Sequence, residues 1–282
     1  MAKKNVYDFM KMKEKREKIT YMTAYDFYTA KLAEQAGIDM LLIGDSMGVA
    51  LYGYDSMIPT TMDQIVVHSQ AVRKGAPNTF IIGDLPFLSY ETSVYDAIKN
   101  AGRLIKEAGV DAVKPEGGSE VAPQIKAIND AGILVQGHIG MTGQKLGKMG
   151  GFIMQAQTAE DAMKVIEDAK AIEKAGAFST VLVGVPSEVA KLITESVKMP
   201  VYGFGAGPYC DGQVTITSDM LGITQVFIPK FIKKYANLSE EMTNLFRQFV
   251  EDVKSNRFPD KQHSEEMKAG EEQKLRKLMK IS

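Results

Sequence analysis

MLLIGD, residues 40–45, is the stretch that decides the fold: a short apolar run leads into an acid, and the chain repeats the arrangement in FIIGD at 80–84 and AVKPE at 112–116. Short apolar runs without polar alternation are how strands buried on both faces read, and such strands belong to parallel sheets. A helical stretch follows each run, so the unit is a βα repeat. In architectures of this kind the site lies beyond the carboxyl ends of the strands, which is where Asp45, Asp84 and Glu116 stand. Three carboxylates converging there make a hard, oxygen-lined cation site. Taken singly, each acid reads equally well as the solvated start of a loop. The repetition, with Lys114 two residues before Glu116, points to a site.

Outward from these runs the alternation continues. Strands are expected at 18–23, 40–44, 79–83, 112–115, 133–137, 179–183 and 201–204, with helices at 26–36, 61–74, 94–108, 120–131, 158–175, 187–196 and 239–254. The eighth unit is faint: 225–228 is the candidate strand, and 214–221 an irregular or helical piece before it. Seven clear units and one faint one predict an α/β fold of the (β/α)8 TIM-barrel type over an open doubly wound sheet. Barrels of this type commonly form one domain of about 250 residues, here residues 1–264, with a charged tail at 265–282 read as a solvated helix. The stretch 140–157, rich in Gly, Met and Gln, reads as a lid or binding loop, with a disordered insert as the alternative. Its Met141, Met149 and Met154 suit either a flexible apolar cover or simple gap filling.

Composition narrows the partners. The chain has 282 residues, 45% hydrophobic, and a formal net charge of -1, which offers no broad attraction to nucleic acid. A small molecule is the expected partner. The single Cys210 makes no internal disulfide, and with three histidines the stock for a Cys/His zinc site is missing. Cys210 reads as a small buried or loop residue. Residues 1–18 are charged and lack an apolar core, so neither a secretory signal nor a membrane span is expected. The expected setting is the cytoplasm, with no membrane partner.

Side-chain parity adds chemistry. Alternate strand residues share a face, so Lys114 and Glu116 point the same way. Aimed into a barrel mouth, a cation and a metal-binding carboxylate suit a 2-oxo acid. Its carboxylate meets the lysine, its oxo group meets the metal, and the neighbouring C–H becomes acidic. The alternative is an internal ion pair of Lys114 with Glu116 or Asp84 and no ligand.

MTAYD (22–26), IGDSMG (43–48), HSQAVRKGAPN (68–78), DLPF (84–87), VKPEGG (113–118), GHIGMTGQ (137–144), GAGPYCDGQ (205–213) and IPKF (228–231) follow one another in an order and spacing that resembles the ketopantoate hydroxymethyltransferase family over roughly residues 18–264. The resemblance implies a barrel of the phosphoenolpyruvate mutase and isocitrate lyase type, assembled as a homo-oligomer, commonly a decamer of two pentameric rings. It implies Mg2+ and transfer of a one-carbon unit from 5,10-methylenetetrahydrofolate to 3-methyl-2-oxobutanoate. Asp45, Asp84 and Glu116 match the family's metal-site acids, and Asp45, Ser46, Asp84 and Lys114 its oxo-acid contacts.

The same comparison exposes a departure. Where the family carries the glutamate that removes the substrate's proton, this chain reads Leu182, Val183, Gly184, Val185, Pro186, so the base position is Val183. Tyr54, Ser218 and the segment 150–157 also differ from the usual family pattern. Three replacements for the base are open: His138, which reads also as an orienting residue; water activated by the cation; and Asp211, which reads also as a turn former. Two further functions stay open beside the family reaction. One is a paralogous metal-dependent enzyme acting on another 2-oxo acid by C–C lyase or aldol chemistry. The other is a non-catalytic oxo-acid-binding or assembly protein.

Overall fold

Eight parallel strands pair in sequence order and close on themselves, β8 returning to β1. The computed structural model describes residues 3–226 and 228–281. The strands are β1 (Ile19–Thr23), β2 (Met40–Ile43), β3 (Phe80–Asp84), β4 (Ala112–Lys114), β5 (Leu134–Gly140), β6 (Ser179–Val183), β7 (Val201–Phe204) and β8 (Gly212–Thr215). The (β/α)8 TIM barrel expected from the βα rhythm is the architecture found.

Period-two alternation splits each strand between two cores. Tyr21, Met40, Leu42, Phe80, Ile82, Ala112, Val181, Val183 and Tyr202 pack together in one, the barrel interior. Their sequence neighbours Met22, Leu41, Ile43, Ile81, Val113, Leu182 and Val201 pack in the other, beneath the surrounding helices. Both faces of β2, β3, β4, β6 and β7 therefore carry apolar side chains, which is why those runs lack alternation in sequence. The helices begin where local chemistry says they should. Asp26 accepts from Thr29 N, Ser93 from Asp96 N, Thr158 from Asp161 N, and Thr61 forms a capping box with Gln64.

The eighth strand is not at 225–228, a stretch that includes Phe227 and so lies partly outside the described residues. It is Gly212–Thr215, inside and just before the piece read as irregular. Its sequence, GQVT, has one apolar side chain and carries no strand signal. Gly212 earns its place by closeness, since a Cβ there would stand 2.4 Å from Ile19 O on β1. The stretch 205–211 joins β7 to β8 without a helix. The stretch 140–157 is not one long loop either: β5 runs to Gly140, and short helical turns follow at Gly143–Lys145 and Leu146–Met149.

An N-terminal helix, Val6–Glu14, lies outside the expected element order although Asn5 and Asp8 form a capping box in front of it. Its Phe9 is fully buried in the interior core, edge-on to Phe80 at 5.2 Å between centroids. Phe178 meets Phe80 in turn at 5.7 Å. These aromatics plug the end of the barrel opposite the acids. At the other extreme of the chain, helix Leu238–Lys254 has no buried residue, and a further helix, Glu271–Leu278, is likewise exposed. No helix among the described residues is long and apolar enough to cross a membrane.

Phe9→Ala removes the plug from a closed interior and is expected to destabilise the fold by about 3–5 kcal/mol. Urea unfolding checks this; a loss below about 1 kcal/mol would show that the helix does not close the barrel.

Candidate active site

At the carboxyl ends of β2 to β5 the strands bring acids and one ammonium together. Asp84 ends β3 and Lys114 ends β4, and the register sets them side by side. Lys114 Nζ lies 2.9 Å from Asp84 Oδ1 and 4.0 Å from Glu116 Oε1, with both side chains of the closer pair nearly sealed from solvent, at 3% and 2% exposure. The closer contact is an ion pair without hydrogen-bond alignment, and Asp84 Oδ1 has no directed donor. Asp84 Oδ2 accepts from Asp45 N–H at 3.0 Å. Asp45 is thereby tied across the barrel mouth to the neighbouring strand.

Gln144, from the turn after β5, completes the frame. Its Nε2 donates to Asp45 Oδ2 at 2.8 Å and to Leu85 O at 2.9 Å, and its backbone N–H donates to Glu116 Oε2 at 3.0 Å. The buried Tyr90 hydroxyl donates to Gln144 Oε1 at 2.7 Å and accepts from Glu116 N–H at 3.0 Å. Ser46 Oγ shares a 2.8 Å hydrogen bond with the Tyr25 hydroxyl. Neither Gln144, Tyr90 nor Tyr25 stands out in the sequence as a site residue. Gln144 sits in the GHIGMTGQ motif, but an amide in a turn carries no periodic signal.

His138, on β5, is held at both nitrogens. Nε2 is 2.9 Å from Met141 O, and because a carbonyl only accepts, Nε2 carries the hydrogen. Nδ1 lies 3.3 Å from Lys114 Nζ and 3.0 Å from Glu116 Oε1. The neutral ring accepts from the ammonium there, and the charged ring donates to the carboxylate. Asp211 is elsewhere: it pairs with Lys13 Nζ at 2.9 Å and accepts from Val201 N–H at 2.9 Å, at the start of β7 and away from the mouth. The loop after β7 descends before β8 begins, which removes Asp211 as a replacement base. Cys210 is fully buried, and burial pushes its thiol up to about 11.

The electrostatics are those of crowded, buried acids. Burial, then the charges of Glu116 and Asp84, hold the Asp45 carboxyl well above the usual range. Burial also raises Asp84, against the opposing pull of Lys114. Glu116 goes the other way: burial opposes ionisation, but His138 and Lys114 outweigh it and hold the group below its usual value. Burial disfavours the Lys114 ammonium, yet Asp84, Glu116 and Asp45 more than offset that and raise its pKa. The acids outnumber the ammonium, so ionising all three would leave surplus buried negative charge, in keeping with the raised Asp45 and Asp84. Among the described residues no three His, Cys, Asp or Glu groups stand close enough to enclose a metal ion. An oxygen-preferring divalent cation held by one or two carboxylates, with water and substrate at its other positions, nevertheless suits this donor set. Asp84 Oδ1 is the buried carboxylate oxygen of this cluster without a hydrogen-bond donor.

This polar floor faces an apolar wall. The pocket, about 90 Å3, is lined on one side by Asp45, Ser46, Asp84, Lys114, Glu116 and His138, and on the other by Leu42, Met57, Met141, Phe152, Val183 and Phe204. Val183 thus lies in the pocket, and no carboxylate replaces it on β6. Tyr54 and Ser218 do not line it: Tyr54 accepts from Gln64 Nε2 at 3.0 Å and stacks on Tyr52, and Ser218 Oγ is buried without a partner.

A family model described as ketopantoate hydroxymethyltransferase matches residues 3–261. A 3-methyl-2-oxobutanoate hydroxymethyltransferase from Alkaliphilus metalliredigens is 52% identical over 261 residues, covering 93% of this chain and 92% of the relative. One from Clostridium beijerinckii is 47% identical over 273 residues, covering 97% and 99%. Among solved structures, 2,3-dimethylmalate lyase, a PEP mutase/isocitrate lyase superfamily member, superposes with a TM-score of 0.58 at 16% identity, covering 97% of this chain and 98% of that one. Phosphonopyruvate hydrolase in complex with oxalate and Mg++ gives a TM-score of 0.58 at 15% identity, covering 99% and 97%. At such identities the structural likeness speaks for the fold alone.

Lys114→Met keeps the apolar stem and leaves Asp84 and Glu116 buried without their counter-charge. The expected loss is about 3–5 kcal/mol at pH 7 in the presence of a chelator, read from urea unfolding. A loss under about 1 kcal/mol would mean that the acids do not depend on this ammonium.

Proposed function

The chain belongs to the ketopantoate hydroxymethyltransferase family, and from that premise we propose that it transfers a hydroxymethyl group to a 2-oxo acid, 3-methyl-2-oxobutanoate, with 5,10-methylenetetrahydrofolate as the one-carbon donor. The observation that carries the reading is the buried floor of Asp45, Asp84, Lys114 and Glu116 at the barrel mouth. In this reading the Lys114 ammonium and the Ser46 hydroxyl receive the substrate carboxylate, and Asp45 and Asp84 hold a divalent cation, Mg2+, with Glu116 behind them. That cation, when bound, supplies a Lewis acid that makes the C–H beside the oxo group more acidic. His138 and Gln144 orient the charged groups through the hydrogen bonds they already make. The pocket's small volume and apolar wall exclude water from the reacting carbon.

Proton removal is the weak step. Val183 accepts no proton, and both nitrogens of His138 are engaged. Loss of a positioned general base lowers rates by about 10²- to 10⁴-fold, so turnover of 3-methyl-2-oxobutanoate is slow in this reading. The apolar Val183 wall favours a second reading, in which the same oxo-acid site serves a different 2-oxo acid.

Following the C3 proton signal of 3-methyl-2-oxobutanoate by NMR in D2O with Mg2+ tests enolisation directly. Slow exchange is expected for the natural chain, rising by about 10²- to 10⁴-fold in Val183→Glu. Background exchange in both proteins, despite substrate binding, sinks the hydroxymethyltransferase reading.

The proposal includes a cytoplasmic homo-oligomer, a decamer by family likeness. What supports assembly is helix Leu238–Lys254, which leaves Leu245, Phe246, Phe249 and Val250 exposed along one stripe. Sedimentation is expected to give an oligomer for the natural chain and a smaller species for a Phe246→Asp, Phe249→Asp double variant. A natural chain that sediments as a monomer overturns this part.

A further inference from the structure

The pocket above the Lys114 cluster does not end at its apolar wall. A second cavity of about 130 Å3 adjoins it and shares Ser46, Met57, Met141, Phe152, Phe204 and Ile216 with it. Beyond those shared residues Val49, Ala50, Pro229 and Phe231 continue the apolar lining, and Phe231 packs edge-on against Phe204 at 5.1 Å. Asp219 and Thr224 add polarity, but the Thr224 hydroxyl donates to Asp219 Oδ1 at 2.6 Å, so they serve each other. No lysine or arginine lines the chamber among the described residues. It has a carboxylate and no cation, and so disfavours anions while offering an apolar group a refuge from water.

Resting on the reading of the inner pocket as a 2-oxo acid site, we propose that the outer chamber receives an apolar substituent of that acid, from isobutyl to phenyl in size. The preferred substrate is then a longer-tailed 2-oxo acid than 3-methyl-2-oxobutanoate. Three observations carry this. The two spaces adjoin along shared lining residues, and polarity falls from the Lys114 floor to the Phe231 end, matching an acid with a charged head and an apolar tail. The volume is right, because an apolar cavity of about 150 Å3 holds benzene. Val183 extends the apolar lining on the inner side, where a carboxylate would put a charge beside the tail. The lining offers no cation for a folate's carboxylates, so its chemistry suits the acceptor's apolar tail.

Isothermal titration calorimetry with Mg2+ and four acids that share one head tests the proposal: 2-oxopropanoate, 3-methyl-2-oxobutanoate, 4-methyl-2-oxopentanoate and 3-phenyl-2-oxopropanoate. Affinity is expected to rise about fourfold per buried methylene along the aliphatic members, with the phenyl acid at least as tight as the longest of them. Ala50→Phe, which fills the chamber from a wall outside the inner pocket, is expected to abolish that gain, and Ala50→Leu to reduce it. The series on the natural chain decides by itself if a variant does not fold. Affinity that is flat or falls with tail length, while 3-methyl-2-oxobutanoate still binds, overturns the chamber and leaves the inner site standing. A gain that survives intact in folded Ala50→Phe also overturns it. Failure of all four acids to bind overturns the inner oxo-acid site and the chamber together.

Discussion

One buried ammonium among three buried carboxylates is the constraint on which the barrel mouth depends. Taking an ion out of water costs several kcal/mol even after relaxation, and a close partner is what offsets it. Lys114 finds Asp84 at 2.9 Å, while Glu116 accepts from the backbone N–H of Gln144 at 3.0 Å and Asp45 from the side-chain amide of Gln144 at 2.8 Å. Each acid thus has a partner group, but only one of those groups carries a permanent positive charge. An incoming oxo acid is itself an anion, so the floor as it stands opposes the ligand its shape suits. In the proposed reading a divalent cation reconciles the two, and the raised carboxyls of Asp45 and Asp84 mark where the negative charge is least comfortable.

The barrel exists to hold that cluster rigid, and most of it was legible because strand parity is so regular. Asp84, Lys114 and Glu116 stand at the ends of short apolar runs, and register places Asp84 beside Lys114 as the period of two requires. Asp45 follows by repetition of the same signal. Legibility failed where the structure depends on something other than burial of apolar side chains. β8 is stitched in by backbone pairing and the closeness that Gly212 permits, so Gly-Gln-Val-Thr looks like a loop. Gln144 and Tyr90 act through hydrogen bonds between turns distant in sequence, which no window along the chain reports. The plug formed by Phe9 had a signal in its Asn5 and Asp8 capping box, but a helix before the first βα unit falls outside the repeat being followed.

Val183 is best understood through its neighbours. It packs in the interior core with Met141 and Phe204, and its carbonyl accepts from Met141 N–H at 2.8 Å. A carboxylate in those surroundings would be desolvated and its pKa pushed up, which is how a glutamate becomes a competent base near neutral pH. The wall therefore has the character that tunes a base, without the base. Val183 is well packed there, so the wall is close-packed hydrocarbon.

That hydrocarbon lies along one side of the mouth. On the β2 to β5 side Asp45, Asp84, Lys114, Glu116 and His138 present polar groups, and on the β6 to β8 side Val183, Phe204, Val214 and Ile216 present hydrocarbon. A ligand that spans the pocket must satisfy both halves, and a short oxo acid satisfies the first while leaving part of the second against water. Uncovered apolar surface is worth about 25 cal/mol per Å2 to whatever fills it, so the asymmetry of the site rewards a tail. The same hydrocarbon surface cannot take a proton from the carbon it touches. In the proposed reading recognition and chemistry come apart in this pocket: the polar half takes the oxo-acid head, and the half beside the adjacent carbon serves as a binding surface.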